Sequence, residues 1–289
     1  MLLTDEVSII GRGINGLLSA ISLHNLGFTN IVVIGEKTDN ICSTLAGAVL
    51  ELPNKPDTAE EMRILFDLFK ETFLTFEKIY KDKTHYLNKD VREVKLYTDY
   101  SDSCHDCWGL LPSTTESSLQ AEKTILKIEG NNKLNLQVYK TKSYLIDPKS
   151  FKISLTNKCL ELNIRLEQKK VSNLSEINSR VIFNCAGLGA FVLNNDQENA
   201  LPICGHGFTL NMESSKDVDN DVVLILGTIP GLEKTNFNGL FYLMPRTIRF
   251  VGGTHVVNYS GDNEKRNLEE VTKVVNRAKF LMTRIMPKF

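Results

Sequence analysis

Residues 6–36, EVSIIGRGINGLLSAISLHNLGFTNIVVIGE, decide the fold that we expect for this chain. A short β-branched run predicts a buried parallel strand that stops where Gly11 begins. Apolar residues then recur at helical spacing and predict a helix, which ends at Gly27. A second apolar strand follows at 31–34, with Glu36 at its carboxyl end. The stretch therefore predicts a strand–helix–strand unit of the α/β class.

Three glycines between the first strand and the helix have the spacing G-x-G-x-x-G. Gly11 permits a tight turn, Gly13 lets a pyrophosphate approach the backbone, and Gly16 lets the helix pack closely on the strand. The unpaired N–H groups at the start of the helix would face the phosphates, and Glu36 would accept hydrogen bonds from ribose hydroxyls. This context predicts a dinucleotide site. The alternative is a glycine-rich turn of another α/β domain, with Glu36 a solvated loop charge.

Bulk composition narrows the class of protein. The 289 residues are 42% hydrophobic and 24% charged, which is ordinary for a soluble globular protein of one large or two moderate domains. A formal net charge of -1 gives no reason to expect nucleic acid or an acidic membrane surface as partner. The sequence shows no signal-peptide pattern, no membrane-spanning apolar run and no peroxisomal tripeptide. We therefore expect a cytoplasmic protein, or one that enters an organelle by another route.

Six cysteines raise the question of a disulfide, metal or redox site. Without a secretory signal or a framework spacing, we expect reduced thiols. Cys104 and Cys107 form a Cys-x-x-Cys pair, but the sequence has no second such pair to complete a tetrahedral zinc site. We therefore interpret this pair as part of a surface loop and predict no metal.

The remaining patterns predict two domains that alternate along the chain. An amphipathic helix at 59–80 and alternating residues at 131–139 indicate an inserted α+β part with an antiparallel sheet. A helix beginning at Asp147 resumes the first part, while 239–254 predicts two antiparallel strands with a turn at Arg246 and Thr247, and 267–286 a closing helix. We predict an α/β fold in which a Rossmann-like dinucleotide-binding domain with a parallel sheet comprises residues 1–57 and 146–203, and a substrate domain comprises residues 58–145 and 204–289.

Two clusters of small residues add to the predicted site. Ala46 and Gly47 offer a backbone without bulky side chains, which can lie flat against a ring system, although a plain connecting loop is the alternative. An apolar strand at 180–184 leads directly into Cys185-Ala-Gly-Leu-Gly, a second small-residue turn. Because α/β sheets bind ligands at the carboxyl ends of their strands, this turn supports a cofactor site.

A series of motifs, in this order, resembles the D-amino-acid oxidase family of flavoproteins over essentially the whole chain. The motifs are VSIIGRGING at 7–16, STLAG at 43–47, VIFNCAGLGA at 181–190, PICGHG at 202–207, YLMPR at 242–246 and VGGT at 251–254. Their spacing looks most like that of D-amino-acid and D-aspartate oxidases, and the glycine and sarcosine oxidases share the same skeleton.

The resemblance implies FAD as the cofactor. It places the pyrophosphate at the glycine turn, the adenosine ribose at Glu36, and the backbone of Val171 against the adenine. The implied cofactor-binding residues are Gly11, Gly13, Ile14, Asn15, Gly16, Glu36, Lys37, Ser43, Thr44, Ala46, Gly47, Val171, Ala186 and Gly187.

The resemblance also implies oxidation of the C–N bond of a small amino acid, with the D-isomer as the expected substrate. The α-hydrogen leaves as hydride to the flavin, the imine hydrolyses to keto acid and ammonia, and dioxygen reoxidises the flavin to give peroxide. Tyr242 is implied to hydrogen-bond the substrate carboxylate, which Arg246 or Arg249 could hold with its guanidinium fork. The alternatives are a tyrosine and arginines that face solvent. We expect His206 and His255 to be satisfied locally rather than catalytic, and a homodimer is compatible with the sequence.

The sequence departs from the family pattern after Pro287. Family members continue for several dozen residues, with a Gly-x-Arg-Pro segment whose arginine clamps the substrate carboxylate and a Gly-His-Gly-Gly-x-Gly turn that caps the flavin. Neither motif is in these 289 residues, so the sequence is either a fragment or a natural truncation. Three functions stay open at this point: an active oxidase, an inactive flavin-binding or scaffold remnant, and a protein that binds NAD alone. The second small-residue turn and the inserted antiparallel part favour FAD over NAD.

Overall fold

The computed structural model describes residues 2–37, 41–51, 58–99, 122–128, 134–210, 221–227, 240–245, 249–259 and 262–285. The chain divides into two units, each assembled from separate stretches. The first unit comprises Met1–Ala48, Asp82–Asp90 and Ile146–Pro202, and the second comprises Val49–Lys81, Val91–Leu145 and Ile203–Phe289. The predicted turn at Arg246 and Thr247 and the Cys104–Cys107 pair lie outside the described residues.

The strands and helices are numbered here in chain order. The strands are β1 (Val7–Ile10), β2 (Ile31–Gly35), β3 (Val91–Asp99), β4 (Glu122–Ile128), β5 (Leu134–Ile146), β6 (Arg165–Gln168), β7 (Val181–Asn184), β8 (Ile203–Cys204), β9 (Gly207–Leu210), β10 (Val222–Leu226), β11 (Phe241–Met244), β12 (Arg249–Gly252) and β13 (Val256–Val257). The helices are α1 (Ile14–Asn25), α2 (Cys42–Leu45), α3 (Ala59–Lys81), α4 (Pro148–Glu161), α5 (Gly189–Leu193) and α6 (Glu264–Ile285).

A four-stranded parallel sheet forms the centre of the first unit, in the order β6-β2-β1-β7. Val7 at the start of β1 pairs with Ile31 on one side and with Val181 on the other. The residues of β1 are all buried, as expected for a strand in the middle of a parallel sheet. The strand–helix–strand unit predicted from residues 6–36 is confirmed.

Helix α1 ends where the sequence predicted. Gly27 has a φ of 95°, a left-handed conformation that glycine adopts without steric cost. The Gly27 N–H donates to the carbonyl of His24 at 2.9 Å, and the Phe28 N–H donates to that of Leu23 at 3.1 Å. These two bonds satisfy carbonyls that would otherwise lack partners at the end of the helix.

Helix α4 packs beside α1 in the first unit. Asp147 caps its start by accepting a hydrogen bond from the Ser150 N–H at 3.0 Å, and Pro148 occupies the first helical position. Near its other end, the buried thiol of Cys159 lies 3.8 Å from the carbonyl oxygen of Leu17 in α1. The thiol is therefore enclosed between the two helices.

The second unit contains a seven-stranded sheet in the order β4-β5-β3-β10-β11-β12-β9. Strand β10 runs parallel to β3, whereas the pairs β4–β5, β10–β11, β11–β12 and β12–β9 are antiparallel. The fold is therefore mixed α/β, with a parallel sheet and a separate, largely antiparallel sheet. This architecture confirms the predicted fold class.

Strand β10 is buried on both faces and divides the core of the second unit into two clusters. Successive side chains of a strand point to opposite faces, so Leu224 and Leu226 enter one cluster and Val223 and Ile225 the other. The first cluster includes the apolar side of α6, and its buried members are Leu136, Val138, Leu224, Leu226, Phe241, Leu243, Val251, Val274, Ala278 and Leu281. The second contains Val94, Leu96, Leu145, Val223, Ile225 and Met244.

The packing of α4 on α1 predicts a difference in thiol reactivity. Burial raises the pKa of the Cys159 thiol to about 11, whereas Cys42 is exposed. Because only the thiolate reacts, iodoacetamide at pH about 8 should modify Cys42 in the folded protein and Cys159 only after unfolding, as peptide mass spectrometry would show. Equal modification of both thiols in the folded state would contradict this packing.

The raised pKa of Cys159 also makes the stability of the protein depend on pH. Since an unfolded thiol titrates near pH about 8.5, the contribution of Cys159 to stability is complete below that pH and is lost as the pH rises towards 11.

Candidate functional site

The turn after β1 requires glycine at its first position. Gly11 has a φ of 111°, and a Cβ there would lie 2.6 Å from the carbonyl carbon of Cys185. The Gly11 N–H donates to the carbonyl of Ile34 at 2.8 Å, and the Cys185 N–H donates to that of Ile10 at 2.7 Å. The carboxyl ends of β2, β1 and β7 are thereby held next to one another.

Gly16 lets α1 lie against this turn. A Cβ on Gly16 would lie 3.0 Å from the carbonyl carbon of Gly11 and closer still to its oxygen, which leaves no room for a side chain. The glycine turn after β1 and the first helical turn of α1 are therefore in direct backbone contact. Both glycines are necessary for the geometry itself, whether or not a ligand is bound.

The amino terminus of α1 is suited to an anion. Gly13 occupies the cap position and offers no side chain to the free N–H groups, and the first turn contains no acidic residue. The Ile14 N–H has only a long contact of 3.4 Å to the Ser43 hydroxyl, and Asn15 is exposed. Unpaired N–H groups and the positive end of the helix dipole favour negative charge at such a position.

Ser43 brings a second segment to the same place. A Cβ on Gly13 would lie 3.1 Å from the Ser43 hydroxyl oxygen, so α2 runs directly beside the glycine turn. The Thr44 N–H and hydroxyl both donate to the carbonyl of Ile41 at 2.9 Å, and this fixes the start of the short helix. Ala46 and Gly47 follow its last residue.

The second small-residue turn is open. After β7, the Asn184 side chain accepts a hydrogen bond from the Ala186 N–H at 3.4 Å and donates to the Ala190 carbonyl at 3.4 Å. Gly187 has a φ of 60°, and a Cβ there would meet no atom within 4 Å. This turn therefore combines a fixed backbone with free space beside it.

The predicted cofactor residues all belong to the first unit, most of them at one edge of its sheet. Since the four strands are parallel, the residues that follow β1, β2 and β7 meet at the same edge. Glu36 and Lys37 are exposed directly after β2, and the half-buried Val171 follows β6. Within the predicted set, only Gly16 and Thr44 are buried, and the others are half-buried or exposed.

The predicted substrate residues belong to the second unit. Tyr242 is half-buried in β11, and its ring lies over Gly252 in β12. Arg246 lies outside the described residues, as does the side chain of Arg249. Sequence reasoning did not identify the contact with Gly252, although the paired glycines at 252 and 253 were a visible signal.

His206 is satisfied locally, as expected. Its ring Nδ1 lies 2.8 Å from the Thr254 hydroxyl, and its Nε2 lies 2.9 Å from the side-chain oxygen of Asn267. His206 is buried, whereas His255 is exposed.

A surface cavity of about 390 Å³ lies in the second unit, and none of the predicted site residues is among the residues that line it. Acids and bases alternate around it; its lining is Tyr80, Arg92, Glu93, Val94, Lys95, Glu122, Lys140, Thr141, Lys142 and Asp221. Lys142 lies 2.9 Å from Glu93 and 3.2 Å from Glu77. Burial alone would lower the pKa of Lys142, but the hydrogen bonds to these carboxylates outweigh it and raise the pKa above its usual range. Lys142 is thus already paired with two carboxylates.

Two further properties concern only the described residues. No helix among them combines the length and the apolar character that crossing a membrane requires. Nor do these parts of the chain bring together three His, Cys, Asp or Glu side chains that could hold a metal ion.

Solved structures share this fold. Fructosamine oxidase (Amadoriase II) from Aspergillus fumigatus superposes with a TM-score of 0.68 at 13% identity, over 98% of this chain and 73% of that one. Glycine oxidase from Geobacillus kaustophilus gives a TM-score of 0.65 at 11% identity, over 96% and 78%. L-amino acid deaminase from Proteus vulgaris gives 0.64 at 10%, over 99% and 75%. No family model and no curated protein sequence matches the chain.

Because these identities are low, the similarity establishes only the fold. The chain also spans only part of the length of the matched proteins. For Amadoriase I from Aspergillus fumigatus, that part is 63%. What the chain does must therefore be argued from its own residues.

The backbone contacts of the glycine turn predict a large loss of stability when either glycine gains a side chain. Gly11→Ala and Gly16→Ala should each lower the free energy of unfolding by about 3 kcal/mol or more, because the methyl group overlaps backbone that cannot move aside. Urea denaturation would measure the loss.

Gly27→Ala is the matched control for these variants. Like Gly11, Gly27 has a positive φ, but a Cβ there would meet only the flexible side chain of Leu3, at 3.3 Å. Its cost should stay near about 1 kcal/mol. Equal losses at Gly27 and Gly16 would show that the close approach is not the cause.

Proposed function

We propose that this protein binds FAD and oxidises the C–N bond of a small amino acid, with D-amino acids as preferred substrates and dioxygen as electron acceptor. The observation that carries the proposal is the pair of small-residue turns at one edge of the parallel sheet, after β1 and after β7. The fold shared with fructosamine oxidase, glycine oxidase and L-amino acid deaminase supports chemistry at an amino group.

The residues of the first unit fit the requirements of the FAD pyrophosphate. Gly13 starts α1 without a capping side chain, so the helix amino terminus can accept an anion. Ser43 adds a hydroxyl beside Gly13. The exposed carboxylate of Glu36, one residue after β2, is placed to accept hydrogen bonds from the ribose hydroxyls.

The second turn favours FAD over NAD. At the end of β7, Ala186 and Gly187 present a backbone with open space beside it, which FAD, as the larger cofactor, can contact in addition to the glycine turn after β1. Ala46 and Gly47 offer a similar side-chain-poor backbone after α2. We assign these residues, with Ile14, to the cofactor.

Bound FAD would supply a hydride acceptor for the hydrogen on the substrate Cα. The part of this chain is to bind the amino acid and to fix its orientation. We assign the substrate carboxylate to the Tyr242 hydroxyl, which can donate a hydrogen bond, and to the guanidinium of Arg246, whose planar fork matches a carboxylate.

The experiment that tests this function is an absorption spectrum of the purified protein with and without added FAD. Anaerobic addition of D-amino acids, L-amino acids, glycine and a fructosyl amino acid should follow, each in a separate sample. We expect a flavin spectrum that bleaches with D-amino acids and recovers on exposure to air, with formation of peroxide. Light scattering on the same sample tests the homodimer that we include in the proposal.

Each alternative has its own outcome in this experiment. A flavin spectrum that no substrate bleaches would favour the inactive flavin-binding alternative. Bleaching by L-amino acids or by the fructosyl compound alone would overturn the assignment of D-amino acids while keeping the oxidase. Failure to bind FAD at all would overturn the whole proposal.

Glu36→Gln should weaken FAD binding. The variant keeps the shape of the side chain but removes the charge that strengthens hydrogen bonds from the ribose, so the Kd should rise about tenfold. Glu167→Gln, which changes an exposed carboxylate near the end of the neighbouring strand β6, is the matched control and should leave the Kd unchanged. Fluorescence titration with FAD measures both; an equal effect of the two variants would reject the role of Glu36.

A further inference from the structure

The phenol ring of Tyr242 lies directly over Gly252, its partner across the β11–β12 pair. A Cβ on Gly252 would overlap the Cε2, Cζ and hydroxyl oxygen of Tyr242. No residue with a side chain fits at this position unless the ring moves. The absence of a side chain at Gly252 therefore decides where the hydroxyl lies.

Two other residues lie close to this ring. Phe250 packs beside it, with 5.7 Å between ring centroids and an angle of 31° between the planes. A Cβ on Gly205 would lie 4.0 Å from the Tyr242 hydroxyl oxygen, which is an ordinary contact distance. Gly205 is exposed and adds no side chain beside the hydroxyl. The ring thus lies among Gly252, Phe250 and Gly205.

Helix α6 holds the strand pair that carries this contact. The guanidinium of Arg277 is buried, and its Nη1 donates to the carbonyl of Leu240 and, at 2.7 Å, to that of Gly253. Leu240 precedes β11 and Gly253 follows β12, so a single side chain ties together the two ends of the pair nearest Tyr242 and Gly252. Burial lowers the pKa of Arg277, and the two carbonyl oxygens compensate its enclosed charge.

A second set of bonds from α6 fixes the segment after Gly253. The side-chain oxygen of Asn267 accepts from His206 Nε2 at 2.9 Å, because an amide oxygen can only accept. The backbone N–H of His206 donates to the Thr254 hydroxyl at 2.7 Å, and the Gly253 N–H donates to the His206 carbonyl at 3.3 Å. The backbone on both sides of the Tyr242 hydroxyl is thus anchored to one helix.

We propose that Gly252 is a positioning residue for substrate binding: it sets the Tyr242 hydroxyl in the orientation from which it donates to the substrate carboxylate. This inference rests on the proposed function, because it needs Tyr242 to bind that carboxylate. In this role Gly252 acts through its contact with the Tyr242 ring.

A double-mutant cycle tests the inference. The Kd of propionate, a carboxylate without an amino group, is measured from the change that it causes in the flavin spectrum of wild type, Tyr242→Phe, Gly252→Ala and the double variant. Tyr242→Phe should weaken binding about tenfold, because a hydrogen bond to a charged group is lost. Gly252→Ala should weaken it by a similar factor, and the double variant should bind no more weakly than Tyr242→Phe, since both changes remove the same bond.

A purely structural role would give a different pattern. Val251→Ala is the matched control, because Val251 is fully buried in the same strand β12 but belongs to the first core cluster, whereas Tyr242 and Phe250 pack against the second. It should lower the Tm as Gly252→Ala does and leave the Kd of propionate within about twofold. If Gly252→Ala does not fold, Phe250→Leu replaces it, because it loosens the ring from the side and should show the same non-additivity with Tyr242→Phe.

The outcomes distinguish failure of this inference from failure of the proposed function. If the wild type binds no flavin or no propionate, the proposed function fails and the inference falls with it. If Tyr242→Phe weakens binding but Gly252→Ala does not, or if the two effects add, Gly252 does not position Tyr242 and the inference alone is overturned.

Discussion

The close approach of α1 to the ends of β1 and β7 requires that Gly11 and Gly16 carry no side chains. Cβ atoms at these two positions would overlap the carbonyl groups of Cys185 and Gly11, so the approach is made by backbone alone. From it follow the position of the helix amino terminus, the adjacent ends of three parallel strands and the place of Ser43 beside Gly13. The edge of the sheet that is best suited to an anion is thus a result of packing, and a ligand there would use a surface that the fold already provides.

The sequence predicted this part of the structure because its signals are local. The G-x-G-x-x-G spacing, the apolar strand before it and the acid after the next strand lie within a single stretch of chain. The helix expected at 59–80 is Ala59–Lys81, and the helix expected from residue 267 begins at Glu264. In each case a periodic apolar pattern was long enough to specify the element, and only its ends differed.

The surroundings of Tyr242 could not be predicted in the same way. Its contact with Gly252 depends on the register of an antiparallel pair, which the order of residues does not specify. Arg277 is a charged residue among the apolar positions of α6, and a sequence pattern assigns such a residue to solvent. The structure buries it because two carbonyl groups that are distant in sequence meet at that point. Long-range hydrogen bonding overrides local propensity here.

The pairing of residue 7 with residue 181 has a consequence for how the protein folds. Strand β1 and the glycine turn are synthesised before their neighbour β7, which follows only after β3, β4 and β5, three strands of the seven-stranded sheet of the second unit. Closing so long a loop is entropically costly and makes such contacts form late. Until β7 has been synthesised, β1 has an unpaired edge, and such an edge can pair with a non-native strand.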